Sequence, residues 1–188
     1  MSCPSLESQY STWLHYKRGD TVKFINDNGS EIIFNIIRNE VSPISVRCNK
    51  DGYGGCHCND CGEPHVGVYG ETKDTSRQYI YQGNLHNSTN FSVYISKRYR
   101  QQDTSTTLQY TILNHSNLIK IGPTLTLNQS DSLFSTFTAG TTIYTNVIMH
   151  QIDTLSSWAF IWKTYYSKDY GIIAFYDRTT QSLFYRKP

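Results

Sequence analysis

Side chains able to do chemistry are concentrated between residues 48 and 65, where Cys48-x7-Cys56-x-Cys58-x2-Cys61 encloses His57 and is followed by His65. Thiolates and imidazoles are the ligands that tetrahedral zinc takes, and four of them close a structural site. Such sites present two short-spaced pairs, whereas only Cys58-x2-Cys61 has that form here. Two disulfides among Cys48, Cys56, Cys58 and Cys61 are therefore the preferred expectation, with a zinc site on the same four residues and free thiols as alternatives. Gly52, Gly54, Gly55 and Gly62 interleave with the thiols. The stretch 49–62 thus reads as a loop with little apolar surface, ordered only by a cross-link. A redox dithiol is not expected, since no helix start is placed to lower a thiol pKa.

Asp60, Glu63 and His65 could form a general acid/base set beside this loop, and an enzyme centred on 48–65 is the rival reading they support. A solvated polar loop explains them more simply. The local signatures Gly-x-Ser-x-Gly, His-Glu-x-x-His and a phosphate-binding Gly-rich loop are all absent, so no catalytic residue and no cofactor is assigned. Trp158, Trp162, Tyr165 and Tyr166 could line a cleft for a sugar or lipid, because aromatic rings join apolar faces to polar rims; packing of a β core is the competing account. Lys97-Arg98-Tyr99-Arg100 mixes cations with a ring, as single-strand binders do. Strand alternation divides these residues between two faces, so a charged strand end that discourages edge pairing is preferred.

Strands must position these groups. Aromatics make up 14% of the 188 residues, with 15 Tyr and few Ala or Glu, a composition that favours strands and turns over helices. A chain of this length buries roughly 70% of its unfolded surface as one domain, which makes disulfides optional for stability. No repeat, hinge or low-complexity linker divides it. The expectation is a polar, flexible tail over 1–12 and one all-β domain over 13–188, mainly antiparallel, a β-sandwich or half-barrel. Net charge is only +2 and is spread along the chain, which gives no footprint for nucleic acid or an acidic membrane.

The clearest element is a hairpin around Asp27-Asn28-Gly29. A two-residue loop would set Lys23 against Phe34 and mix polar with apolar groups on each face. A three-residue loop pairs Asn26 with Ser30, Val22 with Phe34 and Phe24 with Ile32, and needs Gly29 in the left-handed region. Further strands are predicted at 43–48, 65–69, 78–82, 91–96, 108–112, 118–121 and 141–149, with Ala139-Gly140 as a turn. Residues 83–90 read as a turn. Residues 154–160 are ambiguous between helix and strand and are assigned to strand. A last hairpin joins 171–176 to 182–186 through a five-residue polar loop. Trp13 is expected to plug the core.

Two stretches at opposite ends carry a resemblance. The opening Trp13-Leu14-x-Tyr16-x-x-Gly19-Asp20-x-Val22-x-Phe24-x-Asn26-x-x-Gly29 and the closing Tyr165-Tyr166-Ser167-Lys168-x-Tyr170-Gly171-Ile172-Ile173-x-Phe175 resemble short, β-rich secreted lipoproteins of Bacteroidetes. Thr142-Ile143-Tyr144-Thr145-Asn146-Val147 resembles the tyrosine-containing strand before their closing hairpin. The resemblance implies an acylated Cys at the mature amino terminus, and Cys3 stands at that place. Met1-Ser2-Cys3-Pro4-Ser5 lacks the basic start and apolar stretch of a signal peptide, while clustered Cys fit an oxidising compartment, so an export signal is expected to have been removed.

These readings converge on a non-catalytic, secreted or outer-membrane-anchored domain with a binding or structural role. A lipid or other apolar-ligand carrier and the enzyme centred on 48–65 are the alternatives. Expected partners are a small apolar ligand or a cell-envelope protein, with membrane contact only through a lipid anchor.

Overall fold

The computed structural model describes residues 6, 8–42, 46–50, 56–61, 65–81, 84–100, 103–121, 125–152 and 160–187. Among these residues a 3-10 helix, Ser8–Trp13, precedes fifteen strands: β1 Thr21–Ile25, β2 Glu31–Ser42, β3 Val46–Lys50, β4 Cys56–Cys61, β5 His65–Thr72, β6 Gln78–Tyr81, β7 Asn84–Asn87, β8 Asn90–Arg100, β9 Asp103–Ile112, β10 His115–Lys120, β11 Asp131–Ala139, β12 Thr142–Gln151, β13 Ile161–Ser167, β14 Gly171–Asp177 and β15 Ser182–Arg186. Eleven of them form one antiparallel sheet in the order β10-β9-β8-β5-β2-β1-β15-β14-β13-β12-β11, curled into a half-barrel. β3-β4 and β6-β7 are separate two-stranded excursions.

The β1-β2 hairpin has the three-residue register that its sequence demands: Val22 pairs with Phe34, Phe24 with Ile32 and Thr21 with Asn35. Asn26 N–H donates to Ser30 O at 3.1 Å, and Gly29 adopts a φ of 79°. The Asn26 carboxamide closes the turn by accepting from the N–H groups of Asn28 (3.1 Å) and Ser30 (2.8 Å). The closing hairpin joins the predicted strands, with Phe175 opposite Phe184, but Asp177 extends β14 and pairs with Ser182, so the loop is the four residues 178–181 and not five.

Registers assign each strand end to one of two rims. Sheet strands that follow one another along the chain are neighbours except β10 and β11, and the first and last strands meet through Phe24 opposite Arg186 and Ile25 opposite Tyr185. The sheet is therefore open, with β10 and β11 its two edge strands on either side of one seam. Residues after β10 line that seam. Thr126 bridges to Lys120, and Asn128 Nδ2 donates to Leu118 O at 2.9 Å, which covers part of an open edge.

The concave face is filled by side chains. Phe24, Phe34, Phe91, Tyr110, Tyr166 and Phe175 are all fully buried there. Phe24 and Phe34 meet edge to face at 6.1 Å, and Tyr110 stacks on Tyr166 at 5.1 Å across the curl. A smaller cluster of Ala139, Tyr144, Val147, Ile173 and Ala174 occupies the other face of the last strands.

Several elements differ from the sequence reading. Residues 8–13 form a helical turn instead of a flexible tail, because Tyr10 is only 8% exposed and joins the core beside Trp13 and Tyr16. β11 was not predicted; its apolar residues are largely exposed, so period-2 burial is not written into it. β7 replaces the predicted turn at 83–90. The stretch read as a loop contains the paired backbones of β3 and β4, with Cys48 opposite Cys58 and Lys50 opposite Cys56. Residues 153–159 lie outside the described residues.

Candidate functional site

One rim gathers the two ends of the chain. The segment entering β1 and the end of β15 meet there with the β13-β14 turn and the start of β12, enclosing a cleft of ≈ 380 Å³ lined by His15, Thr142, Tyr144, Asp169, Tyr170 and Arg186. Antiparallel pairing places Arg186 on the face of Phe24 and Phe184, so its stem follows the core and its guanidinium reaches the rim. That guanidinium lies 5.3 Å from the Tyr16 ring centre, and its Nη1 donates to the Tyr170 carbonyl. Among the described residues no carboxylate is ion-paired with it.

Tyr16 is the support beneath. Its hydroxyl accepts the Ile172 N–H at 2.7 Å, and burial pushes its pKa up to about 12 despite the opposing pull of Arg186. Burial also raises Tyr144, partly offset by the Thr142 hydroxyl and Arg186. Both phenols are thus neutral donors at physiological pH and leave the Arg186 charge uncompensated. Tyr144 meets Tyr170 edge to face at 5.1 Å, and Tyr170 is 48% exposed, presenting a ring to solvent. His15 Nε2 donates to the Lys168 carbonyl from the opposite wall. The cleft therefore joins a fixed cation, a carboxylate, a hydroxyl and an exposed ring.

The opposite rim holds a second polar cluster. His150 Nδ1 bonds Asp131 Oδ1 at 2.7 Å and contacts Ser130 Oγ at 3.3 Å, while the His115 ring stacks on His150 at 5.8 Å. Ser130 and Asp131 share the same ring nitrogen. A Ser-His-Asp relay needs them on opposite nitrogens, so this set is not one. Burial pulls His115 down to about 4, with His150 adding to the shift, and its Nε2 is buried without a hydrogen-bond partner. At the same end of the sheet as this cluster, Arg77 Nε donates to Asp177 Oδ2 at 2.8 Å with both side chains buried, tying the β5-β6 connection to the end of β14.

The residues singled out from sequence are dispersed. Tyr165 stacks on Phe137 at 4.2 Å in the smaller cluster, whereas Tyr166 lies in the filled core, stacked on Tyr110 and donating to the Trp13 carbonyl. These neighbours face opposite ways, so no single cleft contains both. Trp162 packs edge-on to Tyr176 at 5.5 Å with Lys163 Nζ 4.8 Å from its ring. Trp158, Cys3 and Glu63 lie outside the described residues, as do the side chains of Cys48, Cys56, Cys58, Cys61 and Asp60. His65 meets Tyr94 edge-on at 6.0 Å. Lys97 is buried and its strand end is paired with β9, so it is not an exposed edge on that side.

Arg186, Tyr170, Tyr144 and His15 were missed as a site because their meeting depends on β1 pairing with β15, a contact between the two ends of the chain. One local signal existed: the polar turn ending in Tyr170-Gly171, where Gly171 has a φ of 78°. Comparison with family models, curated proteins and solved structures finds no match to this chain.

Proposed function

We propose that this chain is a non-catalytic binding domain of the cell envelope that takes its ligand at the rim cleft between His15, Tyr170 and Arg186. The observation that carries this reading is the Arg186 guanidinium, held by Tyr16 and the Tyr170 carbonyl and left without a carboxylate partner among the described residues. A half-exposed guanidinium that is held in place and not ion-paired keeps its remaining N–H groups available to an anionic or polar ligand. The resemblance to secreted lipoproteins supports an envelope location, with Cys3 as the proposed lipid attachment.

Filling of the concave face favours the rim over the interior. An apolar-ligand carrier needs an emptied core, and here Phe24, Phe34, Phe91, Tyr110 and Tyr166 occupy it. A thermal-shift screen of sugars, amino acids, fatty acids and short peptides tests the reading. A ligand at a hundredfold excess over its Kd adds about 2.7 kcal/mol, a rise of roughly 5–10 °C for a domain of this size. A rise with a polar ligand that Arg186→Gln reduces is expected. A rise with fatty acids that is indifferent to Arg186→Gln would overturn the cleft and favour a carrier.

A further inference from the structure

We infer that the ligand is a saccharide bearing a carboxylate, with the carboxylate on Arg186, a pyranose face on Tyr170 and hydroxyl groups on Asp169 and Thr142. The inference rests on the binding-domain reading above. Arg186 is oriented before any ligand arrives: its Cζ lies over the Tyr16 ring, 5.3 Å from the centre, and the Tyr170 carbonyl takes Nη1. A guanidinium whose plane is fixed offers its remaining N–H groups as a planar fork, the geometry that a carboxylate or phosphate accepts.

Asp169 decides between those anions. It lines the same cleft, and a second negative group nearby opposes a phosphate dianion more than a carboxylate monoanion. A carboxylate side chain also offers only acceptors, so the ligand must bring donors to it. Sugar hydroxyls do so, whereas a fatty acid would desolvate Asp169 and return nothing. The exposed Tyr170 ring, braced edge-on by Tyr144, supplies an apolar face with a polar rim, which suits the C–H face of a pyranose. At ≈ 380 Å³ the cleft lies near the small end of the roughly 300–1,000 Å³ usual for small-molecule sites, enough for one or two sugar rings.

The test is a ¹⁵N-¹H NMR titration of the full chain with methyl glucuronide, methyl glucoside, glutamate and inorganic phosphate at millimolar concentrations. Shifts at residues 15, 142, 144, 169, 170 and 186 report the cleft, and spectral dispersion reports folding of each variant. The glucuronide should bind about tenfold more tightly than the glucoside, one charge-assisted contact's worth. Arg186→Gln should abolish that preference while residual binding of both sugars remains. Tyr170→Ala should weaken both sugars alike, and Asp169→Asn should weaken the glucoside while widening the preference for the glucuronide, because the charge that opposes its carboxylate is gone. Equal affinity for glucoside and glucuronide would overturn the acidic-sugar assignment and leave a binding domain at the cleft. Binding of glutamate or phosphate alone would overturn the saccharide and keep the site. Shifts confined to residues outside the cleft would overturn both.

Discussion

Burial holds His115 at about 4 in the folded chain, against 6.5 for the free side chain. The groups nearest it are the stacked His150 on β12 and, beyond that, Asp131 on β11. Between those two pH values the unfolded chain binds a proton that the folded chain refuses. Its contribution is therefore complete above pH 6.5, lost progressively as pH falls toward 4, and flat below that; a shift of this size corresponds to about 3 kcal/mol. Urea midpoints of wild type and His115→Phe measured across pH 4–7 should diverge over that window. Parallel curves would mean that His115 titrates normally. Arg77 and Asp177 make a second prediction: Arg77→Met leaves a buried carboxylate uncompensated and should cost about 3–5 kcal/mol in chemical denaturation, and a loss below 1 kcal/mol would count against the pair. Neither feature was legible in the sequence. Arg77 and Asp177 stand a hundred positions apart, and no local pattern marks a charge for burial.

Where local sequence contains all the determinants, elements were legible. The register of β1-β2 follows from alternation of Val22 and Phe24 against Phe34 and Ile32, together with one turn glycine. Gly29 has open space around it and a φ of 79°, so Gly29→Ala carries backbone strain alone and should cost about 1 kcal/mol. Asn28→Ala should cost less. Asn26→Ala should cost more than Asn28→Ala, since it strips acceptors from two N–H groups at a buried position. Thermal unfolding of the three variants checks that ranking, and an innocuous Gly29→Ala would refute the left-handed turn. Gly171 differs from Gly29. A Cβ at Gly171 would strike the Tyr16 hydroxyl and break its bond to the Ile172 N–H, in addition to the strain of a φ of 78°. Gly171→Ala should therefore destabilise more than Gly29→Ala and also weaken ligand binding at the rim. Elements that escaped the sequence, β11 and the 3-10 helix, are those whose placement is decided by distant partners. Tyr10 is buried by the core it meets, and β11 by its ladder with β12.

At the scale of the whole molecule, the pairing of β1 with β15, which joins the first and last strands within the open sheet, makes both the fold and the cleft. All-β class and antiparallel pairing followed from composition and period-2 runs, but which strands become neighbours is a long-range matter. The same pairing that completes the sheet carries His15 and Arg186 to one rim, so the site is formed only in the assembled chain. That the ligand engages this rim and not the filled concave face is the central claim. Hydrogen-deuterium exchange of the full chain, with and without the tightest binder from the thermal-shift screen, tests it most directly. Protection is predicted at residues 13–17, 142–146, 167–172 and 184–187. Protection confined to the core strands β8, β9 and β2, with none at these four segments, would contradict it.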